Sequence, residues 1–371
     1  MRAAILLSTL ALLLAGAPTA LAGATESWTS VEIDLAEGRV FGVGLPERLH
    51  VVTVRSPDGV RRARAAGQGG QFGDWEVSFP RDRPHFALNA GDELVVRADG
   101  RVHRLRIPRL RVDASRSDDV AWGRAPANAR FSVRVLRSTL TRRSTHGPFN
   151  VTADAQGNWR RDLTSGVDIL GGDQIEVLFV NASGDLIRQS SIVPYMTITN
   201  GHDHVTGVGA RDALVTIKLK RHGSTVGIGH GRTVDAPIDG SLVLGGAPRG
   251  GAEFRVLLAD GSGMAAYPRP GDVVVGSFAP DARLRMPSIF VEGDMSTEMI
   301  HGRCLPSTTF WLSIYDQGIR LLSTNGDTAP DGSFDFSAGF FGDDIGPLAS
   351  VYVECIAPRG DRIATWGGVT P

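Results

Sequence analysis

Apolar and polar residues alternate in short runs along most of the chain, and clusters of Gly, Pro and Asp separate those runs. Alternation with a period of two predicts strands with one buried face, because successive side chains of a strand point to opposite sides. Long apolar stripes with helical spacing do not occur in the sequence. The pattern therefore predicts an all-β protein built from short strands and tight turns.

The alternation recurs in four copies along the chain. In each copy a glycine is followed ten and twelve residues later by two apolar residues, which predicts the buried face of one strand per copy. Successive glycines are 81, 84 and 95 residues apart. The glycines and their apolar pairs are Gly42 with Val52/Val54, Gly123 with Val133/Val135, Gly207 with Ile217/Leu219, and Gly302 with Leu312/Ile314.

A second glycine, two residues before a large apolar residue, marks a later turn in each copy. These pairs are Gly73/Trp75, Gly157/Trp159, Gly240/Leu242 and Gly332/Phe334. A proline begins copies two to four, as expected for a first or edge strand. Pro108, Pro194 and Pro287 thus predict modules at 23–107, 108–193, 194–286 and 287–371, with backbone exposed to proteases at the junctions.

The third copy is the longest, and its later part can be aligned in two ways. Either 254–258 or 271–274 could match Gly91-Asp92 and Gly172-Asp173 of the earlier copies. We favour 254–258, because Asp239-Gly240-Ser241 agrees with Asp331-Gly332-Ser333. This alignment predicts an inserted loop or hairpin at 264–282.

Modules of this length, with about seven short strands each, predict two-sheet sandwiches with Greek-key connections. The Gly-x-small-x-Pro turn, the alternating strand after it and the Asp-Gly-x-aromatic turn resemble the bacterial immunoglobulin-like repeats of secreted and surface proteins. The resemblance extends over roughly 28–371. It implies a tandem array of four immunoglobulin-like Greek-key β-sandwiches that acts as a spacer, adhesin stalk or binding module without catalysis.

The N-terminal segment predicts export from the cytoplasm. Residues 1–22 combine Arg2, an apolar run from Ala3 to Leu14 and the small-x-small site Ala20-Leu21-Ala22, as a secretory signal peptide does. The apolar run is too short to span a membrane comfortably, and no later stretch of about 20 apolar residues follows. We therefore expect a secreted or periplasmic protein without a membrane span.

The overall charge does not indicate a polyanionic partner. The chain has 39 Lys and Arg against 40 Asp and Glu, a net charge of −1, which gives no electrostatic reason to expect nucleic acid or an anionic membrane. The expected partner is an extracellular protein or a polysaccharide.

Cys304 and Cys355 are the only cysteines, and both fall in the fourth copy. In an exported protein two cysteines favour a disulfide, and the alternation places Cys355 on the same buried face as Val351 and Val353. A metal-binding pair and free thiols remain as alternatives.

Histidines and acidic turns indicate two possible kinds of metal site. His202, Asp203, His204 and His222 could together bind Zn²⁺, although the spacing matches no established zinc pattern and turns often carry solvated His. Two acidic turns could bind Ca²⁺, although solvated surface charge is the commoner explanation. These turns contain Asp113, Asp118 and Asp119 in the second copy and Glu292, Asp294 and Glu298 in the fourth. No cofactor is otherwise expected.

Trp311 and Tyr315 are the candidate ligand-binding residues. They alternate with Phe310, Leu312 and Ile314 of the strand after Gly302, so the period predicts that both rings point outward. Exposed rings stack on sugars or anchor protein partners. The alternative is that the pair packs under a loop or against the third copy.

No hydrolase, metalloprotease, phosphate-loop or Cys-x-x-Cys motif occurs in the sequence. We therefore expect a non-catalytic exported interaction module or spacer. The alternatives are a carbohydrate-binding protein that uses the aromatic pair of the fourth module, and an extracellular hydrolase whose residues come from distant positions.

Overall fold

The computed structural model describes residues 29–79, 87–138, 143–234, 252–339 and 348–370, which form 28 β-strands and no α-helix. The all-β prediction is confirmed. In these parts of the chain nothing qualifies as a membrane-crossing helix. The signal peptide predicted at 1–22 lies outside the described residues.

The strands fall into four groups of seven, which we call units 1 to 4. Unit 1 contains β1 (Ser30–Asp34), β2 (Arg39–Val43), β3 (Leu49–Arg55), β4 (Arg61–Gln68), β5 (Asp74–Ser78), β6 (Glu93–Ala98) and β7 (Arg101–Arg106). Unit 2 contains β8 (Arg111–Ser115), β9 (Val120–Arg124), β10 (Arg130–Ser138), β11 (Arg143–Thr152), β12 (Asn158–Asp162), β13 (Gln174–Val180) and β14 (Leu186–Ile192). Unit 3 contains β15 (Tyr195–Thr199), β16 (His204–Gly209), β17 (Leu214–Arg221), β18 (Ser224–Arg232), β19 (Ala252–Leu257), β20 (Val273–Gly276) and β21 (Arg283–Arg285). Unit 4 contains β22 (Phe290–Asp294), β23 (Met299–Arg303), β24 (Thr309–Asp316), β25 (Ile319–Asp327), β26 (Ser333–Ser337), β27 (Ala349–Ile356) and β28 (Arg362–Thr370).

Each unit has the same strand pairing. The first, second and fifth strands form one sheet, and the fourth, third, sixth and seventh strands, in that spatial order, form the other. The buried clusters contain residues of both sheets, so the sheets pack face to face around a shared core. The apolar pairs predicted to face inward are all buried, which confirms that part of the pattern: Val52, Val54, Val133, Val135, Ile217, Leu219, Leu312 and Ile314.

The preferred alignment of the third copy is wrong. β19 pairs with β16 and places Phe254 opposite Gly207, where Trp75 lies opposite Gly42 in unit 1. The sixth strand is β20, which follows Gly271-Asp272, so 264–282 contains that strand and is not an insertion. Asp239-Gly240-Ser241 lies outside the described residues. A three-residue turn pattern misled the alignment because such turns recur wherever strands reverse.

Two pairs of neighbouring units share sheets. β1 of unit 1 pairs in parallel with β14 of unit 2, and β15 of unit 3 pairs in parallel with β28 of unit 4. Units 3 and 4 also share one continuous buried cluster. Beside the three prolines, Ile107, Val193 and Met286 are at most 2% exposed, whereas Arg109 and Ser288 are exposed. Cleavage by proteases at the junctions stays a prediction.

Candidate functional site

Trp311 and Tyr315 of β24 are buried, at 4% and 9% exposure, so their expected position on an open surface is wrong. Both rings do lie on the side of β24 opposite to Leu312 and Ile314, but other side chains cover that side. The Trp366 ring of β28 lies 5.3 Å from the Tyr315 ring. Arg362 covers Trp311.

Arg362 connects units 3 and 4 through a stack of rings. Its guanidinium carbon lies 4.4 Å from the ring centre of Tyr195 in unit 3 and 4.5 Å from that of Trp311 in unit 4. Nη1 also donates a 2.9 Å hydrogen bond to Glu354. Cation–π contacts of a desolvated guanidinium are each worth about 2 kcal/mol. Trp311 is thus part of the contact with unit 3. Packing against the third copy was the alternative interpretation of the sequence.

The groups around Arg362 have shifted pKa values. Burial raises the pKa of Tyr352 well above its usual value, and the nearby Glu354 carboxylate raises it further. The Tyr352 hydroxyl donates a 3.2 Å hydrogen bond to Glu354. This phenol therefore remains neutral at physiological pH and serves as a hydrogen-bond donor inside the junction.

A second buried arginine joins three units. Arg116 follows β8 of unit 2, and its side chain is 2% exposed. Nε donates to Asp281 of unit 3 at 2.9 Å, Nη2 donates to Asp361 of unit 4 at 3.0 Å, and Nη1 donates to the carbonyl of Arg359 at 3.0 Å. Burial raises the pKa of Asp361, and Arg116 opposes that shift. Removing this guanidinium would leave two carboxylates without their main partner.

Two equivalent aspartates secure the shared sheets. Asp185 directly precedes β14 and accepts a 3.3 Å hydrogen bond from the backbone N–H of Val31 in unit 1. Asp361 directly precedes β28 and accepts a 3.0 Å hydrogen bond from the backbone N–H of Met196 in unit 3. Each carboxylate thus reaches the second residue of the preceding unit's first strand. The Gly-Asp sequence before both strands is the signal that sequence reasoning missed.

The disulfide between Cys304 and Cys355 is present, with the Cα atoms 5.6 Å apart. Cys304 follows β23 and Cys355 belongs to β27, so the bond joins the two sheets of unit 4. The prediction of a buried bridge is confirmed, and both residues belong to the core that units 3 and 4 share.

The rings of His202 and His204 lie 5.3 Å apart, but the four predicted zinc ligands do not form one metal-binding group. Within the described residues, no group of three or more His, Cys, Asp or Glu side chains is placed to hold one ion. His204 contacts Asp203 at 3.5 Å, and burial lowers the pKa of its ring with help from Arg255. His222 instead lies in the β17–β18 turn among basic side chains. His202, Asp203, His204 and His222 therefore form no zinc site.

The acidic turns use their carboxylates to bind backbone. Asp119 accepts a 2.8 Å hydrogen bond from the N–H of Ile169, and Asp294 accepts one of 2.8 Å from the N–H of Ser296. This turn chemistry explains why aspartate occurs there. Asp113, Asp118, Glu292 and Glu298 likewise belong to no metal-binding group in the described residues.

A basic cavity of about 610 Å³ opens on unit 3, at the end of the sheet that contains β17, β20 and β21. Its basic lining residues are Lys220, Arg221, His222, Arg269, Arg283 and Arg285. Sequence reasoning missed this cavity, because the basic side chains come from separate strands and a loop. The signal available was the outward pair Lys218 and Lys220, the only lysines of the chain.

No protein-family model and no curated protein matches the chain. It is similar to a solved four-repeat segment from the extending region of a large adhesion protein, with 12% identity over 92% of this chain and 99% of that one, at a TM-score of 0.17. It is also similar to a Ca²⁺-stabilised, ice-binding adhesin of an Antarctic bacterium, with 13% identity over 94% and 100% of the two chains and a TM-score of 0.16. The BSP domain of a biofilm-associated protein gives 9% identity over 96% and 98%, with a TM-score of 0.19. At these TM-scores the likenesses carry no argument about function.

Proposed function

We propose that the protein is a non-catalytic exported array of four immunoglobulin-like β-sandwich modules, which serves as an extracellular interaction module or spacer. The observation that carries this proposal is the parallel pairing of β1 with β14 and of β15 with β28. Backbone hydrogen bonds that cross from one unit to the next hold the units at a set orientation. A spacer or multi-site binding protein needs this property, because it must keep distant surfaces at fixed positions relative to each other.

Among the described strands, units 2 and 3 share no sheet, and Arg116 joins them instead. Two buried carboxylates and one carbonyl from units 3 and 4 accept hydrogen bonds from this one side chain of unit 2. The N–H of Gly171 in unit 2 also donates to the carbonyl of Arg359 in unit 4 at 2.8 Å. Breaking a buried ion pair by removing one partner costs about 3–5 kcal/mol, so these contacts oppose bending at the joint.

Module boundaries at Pro108, Pro194 and Pro287 belong to the same proposal. The prolines lie between β7 and β8, between β14 and β15, and between β21 and β22. A location outside the cytoplasm is consistent with the Cys304–Cys355 bond, because disulfides persist in oxidising compartments.

A distance measurement tests the proposal. Spin labels at exposed positions 160 in unit 2 and 297 in unit 4 of the mature chain should give one narrow distance distribution. Arg116→Ala should broaden it, because Asp281 and Asp361 lose their shared partner. Arg109→Ala is the matched control, since Arg109 is exposed at the boundary of units 1 and 2, outside the joint that Arg116 holds. A broad distribution in the unaltered chain would overturn the rigid-array proposal.

Carbohydrate binding is the second candidate function. Burial of Trp311 and Tyr315 removes the aromatic surface on which that candidate rested. The basic cavity of unit 3 provides a different observation in its favour.

A further inference from the structure

We propose that the outer face of the four-stranded sheet of unit 3 binds an acidic polysaccharide, one whose sugars carry carboxylate or sulfate groups. This inference rests on the proposed extracellular binding role. It assigns that role to β17, β20, β21 and the adjoining cavity, instead of the aromatic pair of unit 4.

Four cations form a regular array on this face. Lys218 of β17 is opposite Val275 of β20, which is opposite Arg283 of β21. Lys220, Val273 and Arg285 form the neighbouring row in the same way. Strand spacing places the two cations of a row about 10 Å apart, and strand rise separates the rows by about 7 Å. An array of this kind fits a polymer with repeated negative charges better than a single small anion.

The described part of the chain provides no ion-pair partner for the charges of the array. Among the described residues, no ion pair includes Lys218, Lys220, Arg283 or Arg285. Asp272, the acidic residue in the lining of the cavity, is already engaged. It accepts hydrogen bonds of 2.9 and 2.7 Å from Arg221 and one of 3.0 Å from the N–H of Arg269. Repulsion among unpaired cations costs stability, so their accumulation points to an anionic ligand.

The equivalent faces of units 2 and 4 are built differently. In unit 2, Arg134, Glu176 and Arg188 alternate in sign across the sheet, and the series ends on Glu32 of unit 1. In unit 4 the face is covered by the stack around Arg362. Unit 3 has neither the alternating acids nor the aromatic cover. The chain as a whole has a net charge of −1, so this basic face is a local feature.

The cavity indicates the chemical class of the ligand. About 610 Å³ is within the range of small-ligand sites and can hold one or two sugar rings. Its lining includes Lys220, Arg269 and Arg285 but no Phe, Tyr or Trp side chain. Neutral sugars and unpaired nucleic-acid bases are usually held by stacking on aromatic rings. Recognition here must therefore come from charge, which favours an acidic glycan.

Calorimetric titration of the mature chain, 23–371, tests the proposal. The acidic probes are polygalacturonate, which carries carboxylates, and heparin, which carries sulfates. Dextran is the neutral glycan, and a DNA duplex and polyglutamate represent the other polyanions. We expect binding to at least one acidic glycan, none to dextran, and weaker binding at higher salt because the charges are screened.

Two double variants and one matched control locate the site. Lys218→Gln with Lys220→Gln, and Arg283→Gln with Arg285→Gln, should each weaken glycan binding about tenfold or more, as expected for lost charge-assisted hydrogen bonds. Arg130→Gln with Arg160→Gln removes the same charge from exposed positions of unit 2 and should leave the affinity within about twofold. An unchanged melting temperature shows that the variants fold.

Three results would overturn the proposal. They are no binding to either acidic glycan, an equal loss of affinity in the control, or binding to DNA or polyglutamate as tight as to the glycans. None of these results affects the distance between spin labels in units 2 and 4. Failure of the glycan site can therefore be distinguished from failure of the rigid-array proposal.

Discussion

At the scale of single residues, buried ion pairs recur at the start of the sixth strand. Asp272 of unit 3 binds Arg221 through both carboxylate oxygens, and Asp173 of unit 2 binds Arg137 in the same way. Each aspartate follows a glycine with φ of +91°, a conformation that favours glycine. The Gly-Asp pairs thus have a local role in the turn and a longer-range role in binding an arginine of the third strand.

The Asp272 pair should make the stability of unit 3 depend on pH. Burial alone would raise the pKa of Asp272, but the hydrogen bonds from Arg221 and from the N–H of Arg269 outweigh it and the pKa is lowered. An acid whose pKa is lower in the folded state stabilises the fold above its unfolded pKa of about 3.9 and loses that contribution as the pH falls through the folded value.

Asp272→Asn should accordingly reduce the free energy of unfolding by about 1–3 kcal/mol at pH 7. The difference from the unaltered chain should shrink as the pH falls below about 4. Urea unfolding at a series of pH values measures it, and Glu292→Gln, at an exposed position of unit 4, is the control. A difference that stays constant from pH 7 to pH 2 would contradict the assigned role of the carboxylate.

At the scale of elements, each unit places a glycine on its second strand opposite an aromatic ring on its fifth. The ring covers the glycine, where a side chain would occupy the same space. A Cβ added to Gly302 would lie 2.2 Å from Cζ of Phe334. The four pairs are Gly42–Trp75, Gly123–Trp159, Gly207–Phe254 and Gly302–Phe334.

Gly302→Ala should therefore destabilise the pairing of β23 with β26. The Phe334 ring must move, and the carbonyl of Phe290, 2.9 Å from the new Cβ, restricts how the strand can shift. We expect a loss of about 1–3 kcal/mol in the free energy of unfolding, as for overpacked cores. Gly368→Ala in β28 meets no atom within 4 Å and serves as the control. Equal melting temperatures for the two variants would show that the ring does not require this glycine.

At the scale of the whole molecule, units 3 and 4 depend on each other. Their buried residues form one cluster, and β28 pairs with β15 of unit 3 at its beginning and with β22 of unit 4 at its end. The disulfide between Cys304 and Cys355 lies within this shared cluster. The shared core extends its expected effect to unit 3.

Reduction of Cys304–Cys355 in the chain of residues 23–371 should lower the free energy of unfolding by about 2–4 kcal/mol, as for a native bridge across a long loop. Units 3 and 4 should lose stability together, which hydrogen exchange of β17 and β24 can follow strand by strand. Amides of β10 in unit 2, whose buried cluster is separate, are the internal reference. Loss of protection confined to β24 would contradict a shared cooperative core.

The sequence by itself determined the all-β class, the buried faces of the strands, the repeated glycine of each unit's second strand and the disulfide. These features follow from periods of two along a strand and from residue types that a turn or an oxidised pair requires. Only the tertiary structure decided the burial of Trp311 and Tyr315, the alignment of Phe254 with Gly207 and the basic array of unit 3. Each of these depends on which strand lies beside which. Strands that are neighbours in a sheet can be far apart in the chain, as β1 and β14 are, so local periodicity cannot indicate what covers an outward-facing side chain.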